Sequence, residues 1–180
     1  MRFALCLPLL AAIWAAMPGC ARPAEQVREG SGDVILTPLP ETAHRVIRLR
    51  QVVYVPVYSS IYSGYDRQMT DLAATLSIRN TSTGHPIVVH SATYYDSNGK
   101  KIREYVEQPG SLAPLATADF VIQRRDRSGG PGANFLVEWS SSEDVDEPVI
   151  EAVMVGQHGN AGISFSSAGR VLPKASARPR

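Results

Sequence analysis

The 180 residues carry 18 lysines and arginines against 17 acidic residues, a net charge of +1 with 19% of positions charged. No global field draws such a chain to nucleic acid. The two cysteines, Cys6 and Cys20, both fall in the first twenty residues, so the chain beyond Cys20 has no pair for an internal disulfide, no thiol nucleophile, no Cys-ligated zinc site and no redox CxxC.

At the N-terminus, Arg2 and the free amine precede an uncharged run from Phe3 to Met17, which Pro18-Gly19 breaks just before Cys20. This is the three-part pattern of a secretory signal. The run of about fifteen residues is shorter than the roughly twenty needed to cross the hydrocarbon core as a helix, so residues 1–19 are predicted to be removed rather than retained as a membrane span. Met17-Pro18-Gly19-Cys20 resembles the bacterial lipobox, in which a small residue precedes a cysteine that is lipidated before cleavage leaves it as residue one. Gly19 and Cys20 match; Met17 stands where Leu is usual and Pro18 where a small or β-branched residue is usual. The resemblance implies a lipid on Cys20, attachment to the cell envelope and, with Ala21 rather than Asp next in the chain, the periplasmic face of an outer membrane. More than one acyl chain, at about 0.8 kcal/mol per buried CH₂, makes such an anchor stable. The alternative is an ordinary signal cut nearby, for instance after Ala21, giving a secreted or periplasmic protein.

About 160 residues remain after processing, enough for one domain with a sizeable core. Residues 20–50 form an anchored tether and lead-in, of which Arg22 to Asp33 is polar and interrupted by Pro23, Gly30 and Gly32. From there the signals are of strand type. Val52 to Tyr58 alternates β-branched and aromatic residues, with Pro56 suggesting an edge or bulge. Asp71 to Asn80 sets Leu72, Ala74, Leu76 and Ile78 on one face, the period of two of a half-buried strand. Ile87 to Tyr95 comes next and turns through Asp96-Ser97-Asn98-Gly99-Lys100 into Lys101 to Glu107, a hairpin signal because both Asn98 and Gly99 tolerate positive φ. Thr117 to Arg125, Ala133 to Trp139, Val149 to Gln157 and Gly162 to Ser167 complete the series. The strands predict an all-β, antiparallel immunoglobulin-like β-sandwich of about eight strands over residues 51–171, without the immunoglobulin cysteine pair. Residues 172–180, with Lys174, Arg178 and Arg180, read as a disordered basic tail.

Tyr54-Val-Pro-Val-Tyr-Ser-Ser-Ile-Tyr62, Leu76-Ser-Ile-Arg-Asn-Thr81 and Tyr94-Tyr-Asp-Ser-Asn-Gly99 carry a family resemblance. So do Leu112-Ala-Pro-Leu-Ala-Thr-Ala-Asp-Phe-Val121, Gly129-Gly-Pro-Gly-Ala-Asn-Phe-Leu-Val-Glu-Trp139 and Gly162-Ile-Ser-Phe165. Over about Val52 to Arg170 the chain resembles a bacterial family known as a domain of unknown function, number thirty-one twenty-four. The resemblance implies an exported β-rich protein and brings no activity.

Several local features invite a sharper chemistry. Asp96-Ser97-Asn98-Gly99 opens like a calcium loop but lacks the later oxygen ligands and the terminal bidentate Glu, so a plain hairpin is the better reading. Gly129-Gly130-Pro131-Gly132 lacks the Gly-Lys-Ser/Thr ending of a phosphate loop and reads as a mobile connection, beside which Arg124, Arg125 and Arg127 could receive an anion. Glu143-Asp-Val-Asp-Glu147 reads as a solvated loop before it reads as a cation site. His44, His85, His90 and His158 have no metal-ligand spacing, and no GxSxG surrounds a serine.

Tyr54 and Tyr58 would share a strand face, while Tyr62 and Tyr65 fall in a Ser/Gly-rich stretch where exposed rings could stack on sugar or anchor a protein. The residues therefore predict no catalytic centre, no metal and no cofactor. They point to a non-enzymatic interaction or structural module whose partners are the membrane through Cys20 and an envelope protein or cell-wall glycan. The alternative is a carbohydrate or small-ligand binding protein using Tyr62, Tyr65, Arg124, Arg125 and Arg127.

Overall fold

The computed structural model describes residues 36–39, 46–64 and 66–173. The predicted signal, Cys20, Tyr65, His44, most of the tether and the tail from Lys174 lie outside them. The described residues contain no helix and form two antiparallel sheets packed as an all-β sandwich.

The larger sheet runs in the order β1 (Thr37–Pro38), β7 (Gly110–Leu112), β5 (Ile87–Tyr95), β9 (Asn134–Ser141), β2 (Leu49–Pro56), β12 (Arg170–Val171), and β6 (Lys101–Glu104) pairs with the far half of β5. The smaller runs β11 (Ala161–Ala168), β10 (Val149–His158), β4 (Met69–Arg79), β3 (Ser60–Tyr62), with β8 (Thr117–Ile122) beside the other half of β4. The eight strands of four or more residues are those the alternation predicts; β1, β3, β7 and β12 add two or three residues each. Part of the lead-in belongs to the sandwich: β1 pairs with β7, and Arg48 N–H donates to the Ser141 carbonyl at 2.9 Å.

Alternation sets the core. Leu72, Ala74, Leu76 and Ile78 of β4 are buried together with Ile150, Ala152 and Met154 of β10. Against them lie Val53 and Val55 of β2, Phe135, Val137 and Trp139 of β9, and Val89, Ala92 and Tyr94 of β5. Each large side chain so placed contributes about 1.5–3 kcal/mol relative to exposure. Tyr94 stacks obliquely on Phe135 with centroids 5.1 Å apart, and Tyr105 meets Phe120 and Phe135 edge-on.

Polar residues close the ends of this core. Asn80, 2% exposed, donates from Nδ2 to the carbonyls of His85, Leu112 and Ala113 at 2.9–3.1 Å and accepts from Ser82 N–H at 3.0 Å. One amide thereby satisfies groups of the loops flanking β5, β7 and β8. At the β5–β6 turn, Asp96 Oδ1 accepts from Asn98 N–H and Lys100 N–H, both at 2.8 Å. Only Gly99 adopts positive φ there (78°); Asn98 does not, because the capped turn with one left-handed residue and a register shift between Tyr94 and Tyr95 replaces the two-residue hairpin form. The Asp96 carboxylate is engaged by the turn's own amides.

The last strand changes sheets. The chain leaves β11 through Gly169, whose N–H donates to the Ile150 carbonyl at 2.8 Å, and enters β12 opposite Tyr54 and Val53. A Cβ on Gly169 would lie 2.6 Å from Val53 Cγ1 and 2.7 Å from Ile150 O, so glycine is what lets the strand pass between the sheets.

Candidate functional site

Three connections gather at one end of the smaller sheet: 63–68 between β3 and β4, 123–133 between β8 and β9, and the tight turn between β10 and β11. Register brings them together. Gly156 of β10 is paired with Leu72 of β4, Ser60 of β3 with Asp71, and β8 leaves β4 after Ile122 meets Ala74.

The 123–133 connection is tied down rather than mobile. Ser59 Oγ accepts from Gly130 N–H at 2.8 Å, Ser97 Oγ accepts from Gly132 N–H at 2.9 Å and donates to the Gly129 carbonyl at 2.9 Å, and Val57 N–H donates to the Ala133 carbonyl at 2.9 Å. Buried Gly129 lies over the Tyr94 hydroxyl. Glycine content alone predicts a loose loop; neighbouring hydroxyls instead supply the partners that a glycine-rich backbone needs when it approaches the core.

Arg127 forks onto Asp71, with Nε 2.9 and 3.0 Å from the carboxylate oxygens, and this pairing raises the guanidinium's pKa. Arg124 reaches across β4 to the Gln157 carbonyl at 3.4 Å. Arg125 is exposed and makes no ion pair among the described residues. With Asp71 these three arginines border a shallow depression of about 580 Å³. The structure thus brings the three predicted arginines together, and Asp71, absent from the sequence reading, holds one of them. Such a depression can receive an anionic or hydroxyl-rich group beside Arg124 and Arg125.

Tyr62 ends β3 with 57% of its surface exposed, and the Arg67 guanidinium sits 5.8 Å from its ring centroid. Asp66 and Arg67 both adopt left-handed conformations, φ 62° and 56°, which cost non-glycine residues about 1–3 kcal/mol each. Across the neighbouring turn, His158 Nδ1 is 3.0 Å from Thr70 Oγ1, which is 2.6 Å from Ser63 Oγ. The other tyrosines diverge. Tyr54 lies on the outer face of β2, whereas Tyr58, beyond the end of that strand at Pro56, packs on the core edge-on to Phe165 at 5.7 Å. The shared face expected for Tyr54 and Tyr58 is lost because β2 ends between them.

A second polar group lies on the outer face of the larger sheet. His90 is the extra residue where the β5–β9 register shifts between Val89 and Ser91, and its Nε2 lies 2.7 Å from Ser140 Oγ. Burial lowers the His90 pKa, the Arg50 charge lowers it further, and Glu138 opposes both. Arg50 is itself paired with Glu138 at 2.6 Å. The bulge, invisible in the residue pattern, is what turns this imidazole onto the serine.

The acidic stretch is a strap on β2 and on the segment that follows β4. Gln51 Nε2 donates to the Glu147 carboxylate, Thr81 Oγ1 donates to the Glu147 carbonyl at 3.0 Å, and Val145 packs on the core. Among the described residues no three His, Cys, Asp or Glu side chains gather in a form that could hold a metal ion, and no helix among them is long and apolar enough to cross a membrane.

Residues 50–172 match the family described as Protein of unknown function (DUF3124). No curated protein matches the chain. Among solved structures, the Crystal Structure of Thermotoga maritima 1070 is similar, at 11% identity over 67% of this chain and 92% of that one with a TM-score of 0.39.

Proposed function

The chain belongs to the DUF3124 family, and from that premise we propose that it is a non-enzymatic interaction module of the bacterial cell envelope, tethered by lipid on Cys20. The observation that carries the reading is the built loop end. Tyr62, Arg124 and Arg125 stand outward while Asp71, Ser59 and Ser97 fix the connections that present them. A rigid frame bearing an exposed aromatic ring and arginines is the composition of a protein-binding surface, because such side chains contribute most when little ordering is needed on association.

The experiment is crosslinking and pull-down of the anchored chain from envelopes, comparing wild type with Tyr62→Ala and with Arg124→Ala/Arg125→Ala. A partner recovered with wild type and lost with both variants supports the reading. A saturable turnover of an envelope substrate abolished by a point change would replace it with an enzyme. The anchor is tested separately by lipid labelling of wild type against Cys20→Ala; equal labelling would remove it and leave a secreted or periplasmic protein.

A second reading is favoured by the exposed Tyr62 ring and the arginine-bordered depression at the same end of the smaller sheet, which suit a sugar or another small polar ligand. Glycan binding that survives Tyr62→Ala would exclude that ring from it.

A further inference from the structure

The open sheet edges differ in one respect. β1 carries Pro38 and is two residues long; β12 is two residues long and carries Arg170; β6 reads Lys-Ile-Arg-Glu; β3 has three residues; β8 carries Asp119. Each is shortened or marked with proline or charge, the devices by which natural sheets avoid edge pairing. β11 has none of them. It reads Ala-Gly-Ile-Ser-Phe-Ser-Ser-Ala, eight residues without charge or proline, and its pairing with β10 runs from Glu151 opposite Ala168 to His158 opposite Ala161 without a register shift.

Its hydrogen-bond parity is set by one contact. Gly169 N–H donates to the Ile150 carbonyl, so in this unbroken register Ala161, Ile163, Phe165 and Ser167 bond to β10. The N–H and C=O groups of Gly162, Ser164, Ser166 and Ala168 therefore point away from it. Among the described residues nothing pairs with that edge.

We propose that this edge binds a second copy of the chain, β11 against β11, in an antiparallel two-fold pair centred on Ser164. Of the outward-bonding residues, Gly162, Ser164 and Ser166 are symmetric about that position, while Ala168 adjoins Gly169, where the chain leaves the sheet. Gly162 of one copy meets Ser166 of the other, Ser164 meets Ser164, and each pair exchanges both backbone bonds. The side chains suit self-pairing. Ser164 and Ser166 are small and uncharged on the outer face, and on the inner face half-buried Ile163 comes opposite Phe165 of the other copy, extending the apolar layer. No charge on either strand faces a like charge. A heterologous extended peptide finds here no charged group and no side-chain pocket to select it, which is why the favoured occupant is the same strand. The pairing uses backbone groups of β11 and none of Tyr62, Arg124 and Arg125, which carry the interaction reading.

The test is the solution mass of the full chain in detergent, by light scattering or sedimentation across a concentration series. Wild type is expected to dimerise. Ser164→Lys and Ser164→Glu each place like charges opposite one another at the two-fold axis and should raise the dissociation constant about fivefold. An equimolar mixture of the two variants should return to wild-type strength or better, because position 164 then opposes its complement. Ser166→Pro removes an edge N–H that β10 does not use, so the fold should remain while the dimer is lost. Thermal unfolding of each variant checks that the fold is retained. A monomeric wild type, a dimer indifferent to the Ser164 variants and to Ser166→Pro, or a mixture no stronger than the separate variants would overturn the proposal.

Discussion

Asn80 holds several loops with one side chain, and the consequence is local and large. Replacing it by Ala leaves the carbonyls of Leu112 and Ala113 and the Ser82 N–H without their buried partner. Each such group costs about 1–3 kcal/mol when stranded, and some regain water, so Asn80→Ala should destabilise by about 3 kcal/mol. A shift of the urea midpoint at constant slope would measure it. Asn80→Asp should also destabilise, since a carboxylate cannot donate to the three carbonyls that Nδ2 serves. Tyr94 behaves in the opposite way. Its hydroxyl is buried without a bond of normal geometry, the Ser59 hydroxyl nearby being engaged by Gly130 N–H. Tyr94→Phe keeps the ring on Phe135 and removes a polar atom with no partner, so its unfolding free energy should stay within about 1 kcal/mol of wild type or rise.

Elements were legible in the sequence in proportion to their length. Leu72, Ala74, Leu76 and Ile78 announce β4 because a period of two repeats often enough to be seen. Two or three residues such as Thr37-Pro38 or Arg170-Val171 carry no period, and their pairing depends on neighbours far along the chain. Of the candidate site, residue type alone picked out Tyr62 and the three arginines but not their shared end of the smaller sheet, which strand register creates, and Tyr65 lies outside the described residues. Asp71, half of the Arg127 pair, and His90 with Ser140 were not legible, because a cross-strand register and a bulge create those contacts. The strand switch at Gly169 is likewise a property of two sheets meeting. Gly169→Ala brings a methyl against Val53 and the Ile150 carbonyl, and a backbone oxygen cannot step aside as a side-chain tip can. Destabilisation of about 1–3 kcal/mol is expected, read as a lower melting temperature. Gly162 is the contrast that isolates the cause. Early in β11, with nothing within 4 Å of its Cβ position, it should accept Ala with little change.

At the scale of the whole sandwich, four described groups of the larger sheet and the connections beside it, His90, Glu104, Tyr94 and Tyr105, have pKa values shifted by folding, and their signs combine into one stability profile. His90 has a folded pKa below its ordinary value, so its contribution is complete above about pH 6.5 and is lost as pH falls through the folded value. Glu104 responds at lower pH. Burial opposes its ionisation, but hydrogen bonds from Thr93 Oγ1 at 2.6 Å, Lys101 Nζ at 3.1 Å and Ala92 N–H at 2.9 Å outweigh it and lower the pKa. Its contribution is complete above about pH 4.3 and disappears as pH falls through the lowered value. On the alkaline side, burial pushes Tyr94 up to about 12 and also raises Tyr105. An unfolded tyrosine ionises near pH 10 while the folded ones retain their protons, so stability is lost as pH rises above about 10. The profile should therefore be highest between about pH 7 and 9, with a first acid step below pH 6.5 and a second below pH 4.3. Guanidinium midpoints measured from about pH 3.5 to 11 would trace it, with His90→Gln removing the first acid step, Glu104→Gln the second, and Tyr94→Phe reducing the alkaline fall. A first acid step below pH 6.5 that persists in His90→Gln would assign it to another group and break the link between the bulged imidazole and the stability of the sandwich.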